Sequence, residues 1–136
     1  MVISLNTQDK VNYWISLSEY DLETAKAMFK SERFLYVGFI CHQVIEKLLK
    51  AVYVKNNNEI PPRIHDLIKL SKKSDIYHKL TEEQRDFLEY LGPLNIDTRY
   101  PQDIKKATKL INKKGSKIIV DKTREMSTWI NQRLSK

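Results

Sequence analysis

From Phe34 to Ile45 the chain carries no charged side chain and no proline, and Phe34, Leu35, Val37, Phe39, Ile40 and Cys41 leave the first half of this stretch without a polar side. A helix that is apolar all round has to be enclosed by other elements. Past Val44 the pattern becomes amphipathic: Val44, Ile45, Leu48, Leu49 and Val52 continue the buried side, and Gln43, Glu46, Lys47 and Lys50 are expected to emerge into solvent opposite them. The stretch reads as a central helix over about 33–56, ended by Asn56-Asn57-Asn58 and by Ile60-Pro61-Pro62, because proline excludes helix from the residue before it.

What encloses this helix also reads as helical. Val11, Trp14, Ser18, Leu22, Ala25 and Phe29 recur at steps of three and four, so a first helix is expected from a cap at Thr7 to about Lys30. His65 to Leu70 reads as a short third helix with Asp66 near its positive end. Thr81-Glu-Glu-Gln84 has the form of a capping box for a fourth, which carries Phe87, Leu88 and Leu91 into Gly92-Pro93. Residues 94–103 read as a loop. Asn112 can cap a last helix through Ile119, Met126, Trp129, Ile130 and Leu134. Trp14 and Trp129 lie on apolar stripes, so both are expected to be buried. With 3 Gly and 4 Pro among 136 residues, continuous helices are favoured over the frequent turns of a sandwich or barrel. The expected fold is all-α: one domain over 1–136, an up-and-down bundle of about five helices.

The apolar run is far shorter than the ~20 residues of a membrane span, and no basic-then-apolar leader precedes Gln8, so a cytoplasmic protein without a membrane partner is expected. Cys41, the one cysteine, has no disulfide partner and no metal-ligand spacing, and reads as a buried thiol. The net charge of +7 is unevenly placed: residues 1–98 hold 13 Lys+Arg against 14 Asp+Glu, and residues 99–136 hold 11 against 3. Clustered positive charge raises affinity for phosphate or for an acidic partner, although lysines on a solvated helix face also simply keep a protein soluble.

Motif chemistry is sparse. There is no Gly-rich phosphate loop, HExxH, cysteine pair or Gly-x-Ser-x-Gly elbow, so neither a metal nor a cofactor is expected. His42, Glu46 and Lys50 fall at i, i+4 and i+8, a spacing read here as a helix-surface hydrogen bond and ion pair rather than a metal site. His65 follows two prolines at a helix start, where an imidazole often satisfies backbone groups. Arg99-Tyr100-Pro101 sets a planar cation, a stacking ring and a hydroxyl in one rigid loop, which suits phosphate or base recognition, or ties the loop to a helix carboxylate.

Trp14, Ala25, Phe39, the stretch His42 to Ala51, His65-Asp66-Leu67, Arg99-Tyr100-Pro101 and Trp129-Ile130, in this order, resemble the HEPN family of helical domains proposed to bind nucleotides. The resemblance implies a homodimeric bundle, encoded beside a minimal nucleotidyltransferase and often acting with it as a toxin–antitoxin pair. It also implies metal-independent ribonuclease activity in members that carry an Arg, four to six residues, then a His. Here the positions that would hold that Arg are Leu35-Tyr36-Val37 before His42, Asn58-Glu59-Ile60 before His65 and Ser71-Lys72-Lys73 before His78. No catalytic residue is therefore assigned. The expected function is a dimeric nucleotide- or RNA-binding module whose ligand surface draws on Lys47, Lys50, His65, Arg99 and Tyr100. A ribonuclease with a different site, such as Arg99 with His65, and a purely structural dimerisation domain are the alternatives.

Overall fold

The computed structural model describes residues 2–95, 105 and 112–135. Among these residues the order is α1 (Val2–Lys30), α2 (Phe34–Asn57), α3 (Leu67–Lys73), a 3₁₀ turn (Tyr77–Lys79), α4 (Glu82–Leu91), a second 3₁₀ turn (Gly92–Leu94) and α5 (Lys113–Leu134), with no strand among them. The all-α expectation holds. Arg99 and Tyr100, with the loop expected around them, lie outside the described residues.

Helix α2 is central, touching α1, α3, α4 and α5. Its Val37, Cys41, Val44, Ile45, Leu48, Leu49 and Ala51 are all closed to solvent. Directions follow from end contacts. Thr7 of α1 hydrogen-bonds Asn58 just past the end of α2, so α1 runs against α2. Lys55 donates to the last carbonyls of α5, at Arg133 and Leu134, so α5 runs with α2, and that cation sits where the helix dipole favours it.

Local chemistry sets most of the boundaries. Thr81 and Gln84 form the reciprocal capping box, and Asn112 caps α5 by accepting from the Gly115 N–H at 2.8 Å. Asp66 caps α3, so that helix begins at Leu67 and leaves His65 in the extended segment before it. Asn58 closes α2 in the left-handed region, φ 51°, with its N–H on the Val54 carbonyl. Glu32 and Asp75, both at φ 60°, end α1 and α3 in Schellman motifs without glycine: Arg33 N–H reaches Met28 O, and Ile76 N–H reaches Ser71 O.

Two expectations need correction. Thr7 does not cap α1: the helix starts at Val2, Thr7 has helical backbone, and its hydroxyl is spent on a tertiary contact. Trp14 and Trp129 are packed against the core but only half-buried. Each has a cation over its ring, Lys50 at 5.5 Å and Arg133 at 4.1 Å, so one ring face is covered by a charged side chain rather than by apolar neighbours. No helix among the described residues is long and apolar enough to cross a membrane.

Candidate functional site

From Cys41 on α2 is enclosed, and its polar line is enclosed with it; its first turns are not, since Phe34, Leu35, Phe39 and Ile40 are only half-buried and Tyr36 is exposed, against the expectation for the apolar run. His42, Glu46 and Lys50 are 1%, 3% and 9% exposed, not on a solvent face as their residue types imply. The expectation that Glu46 and Lys50 emerge from the core is wrong, as is that of a surface hydrogen bond at His42. The reason is tertiary. The extended segment after Pro61-Pro62 brings His65 onto Glu46, and Trp14 of α1 closes over Lys50.

Glu46 is the hub. Its Oε1 lies 3.0 Å from His65 Nδ1 and its Oε2 accepts from Lys50 Nζ at 3.1 Å, so a carboxylate out of water has a partner for each oxygen. His42 Nδ1 stands 3.7 Å from Oε1, too far for a hydrogen bond, and has no other partner. Burial holds the His42 pKa down to about 4, against the opposing pull of the Glu46 charge and a hydrogen bond to the His65 backbone. His42 is therefore a neutral, interior ring. His65 is the reverse: its side chain is 65% exposed, and with Nδ1 committed to Glu46, Nε2 is the nitrogen left for a ligand. Tyr13 meets Trp14 edge-on at 5.6 Å and is itself 60% exposed, so the Lys50 end of the line opens onto an aromatic pair.

The structure thus joins Lys50 and His65, two of the expected ligand residues, through one carboxylate that both contact. Lys47 lies on the neighbouring flank, bound to Asp21 of α1. Arg99 and Tyr100 fall outside the described residues. Sequence reasoning missed Trp14 and Tyr13 as surface groups and Glu46 as a buried one. The available signal was the i, i+4, i+8 line itself, since polar groups on an otherwise enclosed helix are paired inside rather than solvated. Cys41 is buried as expected; burial raises its thiol pKa to about 11, with the Thr123 side chain pulling the other way, so it is a poor nucleophile. Among the described residues no three His, Cys, Asp or Glu side chains converge as metal ligands.

The HEPN domain model matches residues 11–133, from Val11 on the buried face of α1 to the last turn of α5. The chain belongs to the HEPN family. No curated protein and no solved structure matches it. Membership makes it a nucleotide- or RNA-associated module in general terms. Within this HEPN chain the histidine on the central helix is closed to any surface ligand, and of the two histidines at the Glu46 hub His65 is the exposed one.

Proposed function

We propose that this HEPN chain binds a nucleotide or a short stretch of RNA without cutting it, at the surface where Tyr13, Trp14, Lys50 and His65 meet. In this reading it works as a homodimer and as the partner of a minimal nucleotidyltransferase in a toxin–antitoxin pair. The observation that carries the binding is the half-open Trp14 ring with Lys50 over it and Tyr13 against it, beside an exposed imidazole. An aromatic face takes a base by stacking, and adjacent cations hold phosphate. Arg99 and Tyr100 are expected to add to this surface. Lys47 and Lys50 contribute little free charge, because Asp21 and Glu46 already compensate them, and Lys50 acts mainly by covering one face of Trp14. The nucleotidyltransferase partner and the dimer rest on the family resemblance, and the lack of cleavage rests on the missing Arg-to-His spacing.

The test is fluorescence anisotropy of a labelled single-stranded RNA at two salt concentrations. Binding should weaken as salt rises, with a log–log slope of about 0.7 per phosphate contacted. Replacing Trp14 by Leu should weaken binding about tenfold or more, the scale of one lost base–aromatic stack. Arg99→Lys should weaken it, and His65→Ala should weaken it while also lowering stability, because Glu46 Oε1 loses its partner, so binding is compared under conditions where circular dichroism shows each variant folded. If both of these bind like the parent protein, the surface is wrong. If the repurified protein cuts the RNA without metal and His65→Ala abolishes the cutting, the chain is a ribonuclease with its own site.

A further inference from the structure

Outside the Glu46 hub, one cation differs from the rest in what holds it. Of the lysines and arginines that the described fold takes partly out of water, Lys26, Lys47, Lys50 and Lys122 each have a carboxylate, from Glu23, Asp21, Glu46 and Glu83. Lys55 sits on the last carbonyls of α5, where the helix dipole is negative. Arg85 of α4 has neither. Its Nε and Nη2 both donate to the Tyr77 carbonyl, at 3.2 and 2.9 Å, and that oxygen already accepts the Leu80 N–H. A half-buried charge held by one shared carbonyl is under-compensated.

The guanidinium is also fixed in place. It lies over the Tyr77 ring, 4.2 Å from the centroid, and that ring is packed half-buried against the core. With the Nε–Nη2 edge spent on the carbonyl, the Nη1–Nη2 edge is left for a bidentate acceptor. Lys72 of α3 brings a second cation to the same ring, its Nζ 4.9 Å from the centroid, so the two charges are no farther apart than those two distances together. The nearby carboxylates are placed otherwise. Asp75 stands 3.7 Å from His78, Glu83 reaches Lys122, and Asp86 lines the side toward α5. Glu82 and Glu89, about one turn either side of Arg85, are exposed and make no ion pair with it among the described residues.

We propose that Arg85 and Lys72, set around the Tyr77 ring, form a phosphate-binding site separate from the Trp14–His65 surface. A fixed planar fork and a mobile ammonium from a different helix carry two charges without an acid. They suit a phosphate, whose oxygens point several ways, better than a carboxylate, which one fork satisfies. The source of the phosphate rests on the reading above. Only α3, about 10 Å long at 1.5 Å per residue, and the short turn after it separate His65 from this cluster. Lys69 and Lys73 stand exposed on α3 in between, without an ion pair among the described residues. An RNA of several nucleotides held at Trp14 thus lays a backbone phosphate on Arg85, and the two surfaces act together on one strand.

The experiment follows the Arg85 Nε–H signal of the full chain by two-dimensional NMR while inorganic phosphate is added at constant ionic strength. The parent is compared with Lys72→Ala and with Lys30→Ala, an exposed lysine at the other end of the bundle. The parent should show a saturable shift, weakened about fivefold or more in Lys72→Ala and unchanged in Lys30→Ala. A shift that does not saturate, that chloride reproduces, or that both variants weaken equally overturns the site. Anisotropy with a labelled single-stranded RNA of about 12 nucleotides then identifies the source. Lys72→Ala should lower the log–log salt slope by about 0.7, and Arg85→Lys should weaken binding about tenfold with an unchanged circular dichroism spectrum, since lysine has no fork. Phosphate binding without these RNA effects keeps the site, assigns it to small phosphate compounds and leaves the Trp14–His65 reading standing. RNA binding lost in the Lys72 and Arg85 variants but untouched by Trp14→Leu keeps the site and overturns that reading instead.

Discussion

Lys47 and Lys50 stand three residues apart on the same helix, and from residue type alone they are equivalent cations. Their surroundings differ. Lys47 leans across to Asp21 of α1, with the two side chains 22% and 15% exposed, and forms a clamp near the surface. Lys50 turns inward to Glu46 at 3.1 Å and covers Trp14, while the same carboxylate holds His65. The first is a clamp that water can replace. In the second, removing one member strands a charge in the interior, so the surrounding groups depend on one another.

The sharpest way to break this comparison is at the hub. Glu46→Ala should cost about 3 to 5 kcal/mol of unfolding free energy, because it leaves the Lys50 ammonium nearly buried without its counter-charge. Denaturant titration measures it, and a loss under about 1 kcal/mol would make the hub no different from the clamp.

Acid probes the same region without mutation. His42 holds a pKa of about 4 in the fold against an ordinary 6.5. Below pH 6.5 the unfolded chain takes up a proton that the native ring refuses, so the stabilisation His42 gives above that pH is lost as pH falls toward 4. The loss amounts to about 3 kcal/mol at most, at 1.36 kcal/mol per unit. A His42→Leu variant should lack this part of the pH dependence, and an unchanged profile would place the acid sensitivity elsewhere.

The two tryptophans sharpen the comparison at smaller scale. Trp129 carries a cation from its own helix, whereas the cation on Trp14 is fixed from another helix by Glu46. Half-burial lowers the expected cost of Trp129→Ala to about 2 kcal/mol, and Trp14→Ala should cost more, since it also uncovers Lys50. Equal losses in thermal or denaturant unfolding would mean that Glu46 alone supports Lys50. The smallest effect belongs to the clamp: Lys47→Ala should cost at most about 1 kcal/mol, with little change in RNA binding.

The fold was largely legible because it is written in periodicity and caps. Thr81, Asn112 and the Asn56-Asn57-Asn58 stop mark real helix ends, whereas the apolar run before Ile45 is less enclosed than its composition implied, with Phe34, Leu35, Phe39 and Ile40 half-buried and Tyr36 exposed. The boundaries that were not foreseen use residues without a local signature. Glu32 and Asp75 adopt a conformation usually left to glycine, and Thr7 is drawn into a helix that begins upstream of it. The site was legible in part. Lys50 and His65 were named, but Glu46 was set on the wet side, and Trp14 was assigned wholly to the core.

By itself the sequence determined an all-α HEPN chain, because a 3.6-residue period and its caps act within one helix and need no knowledge of what packs against it. It also supplied the spacing that stacks His42, Glu46 and Lys50 on one line. Which side of α2 met water was decided only in three dimensions, when the segment after Pro61-Pro62 and the Trp14 ring closed over that line. Periodicity sorts residues by type, and a charged residue reads as exposed until a partner from elsewhere in the chain makes its burial affordable. That partner is His65, nineteen residues away in sequence and 3.0 Å away in space.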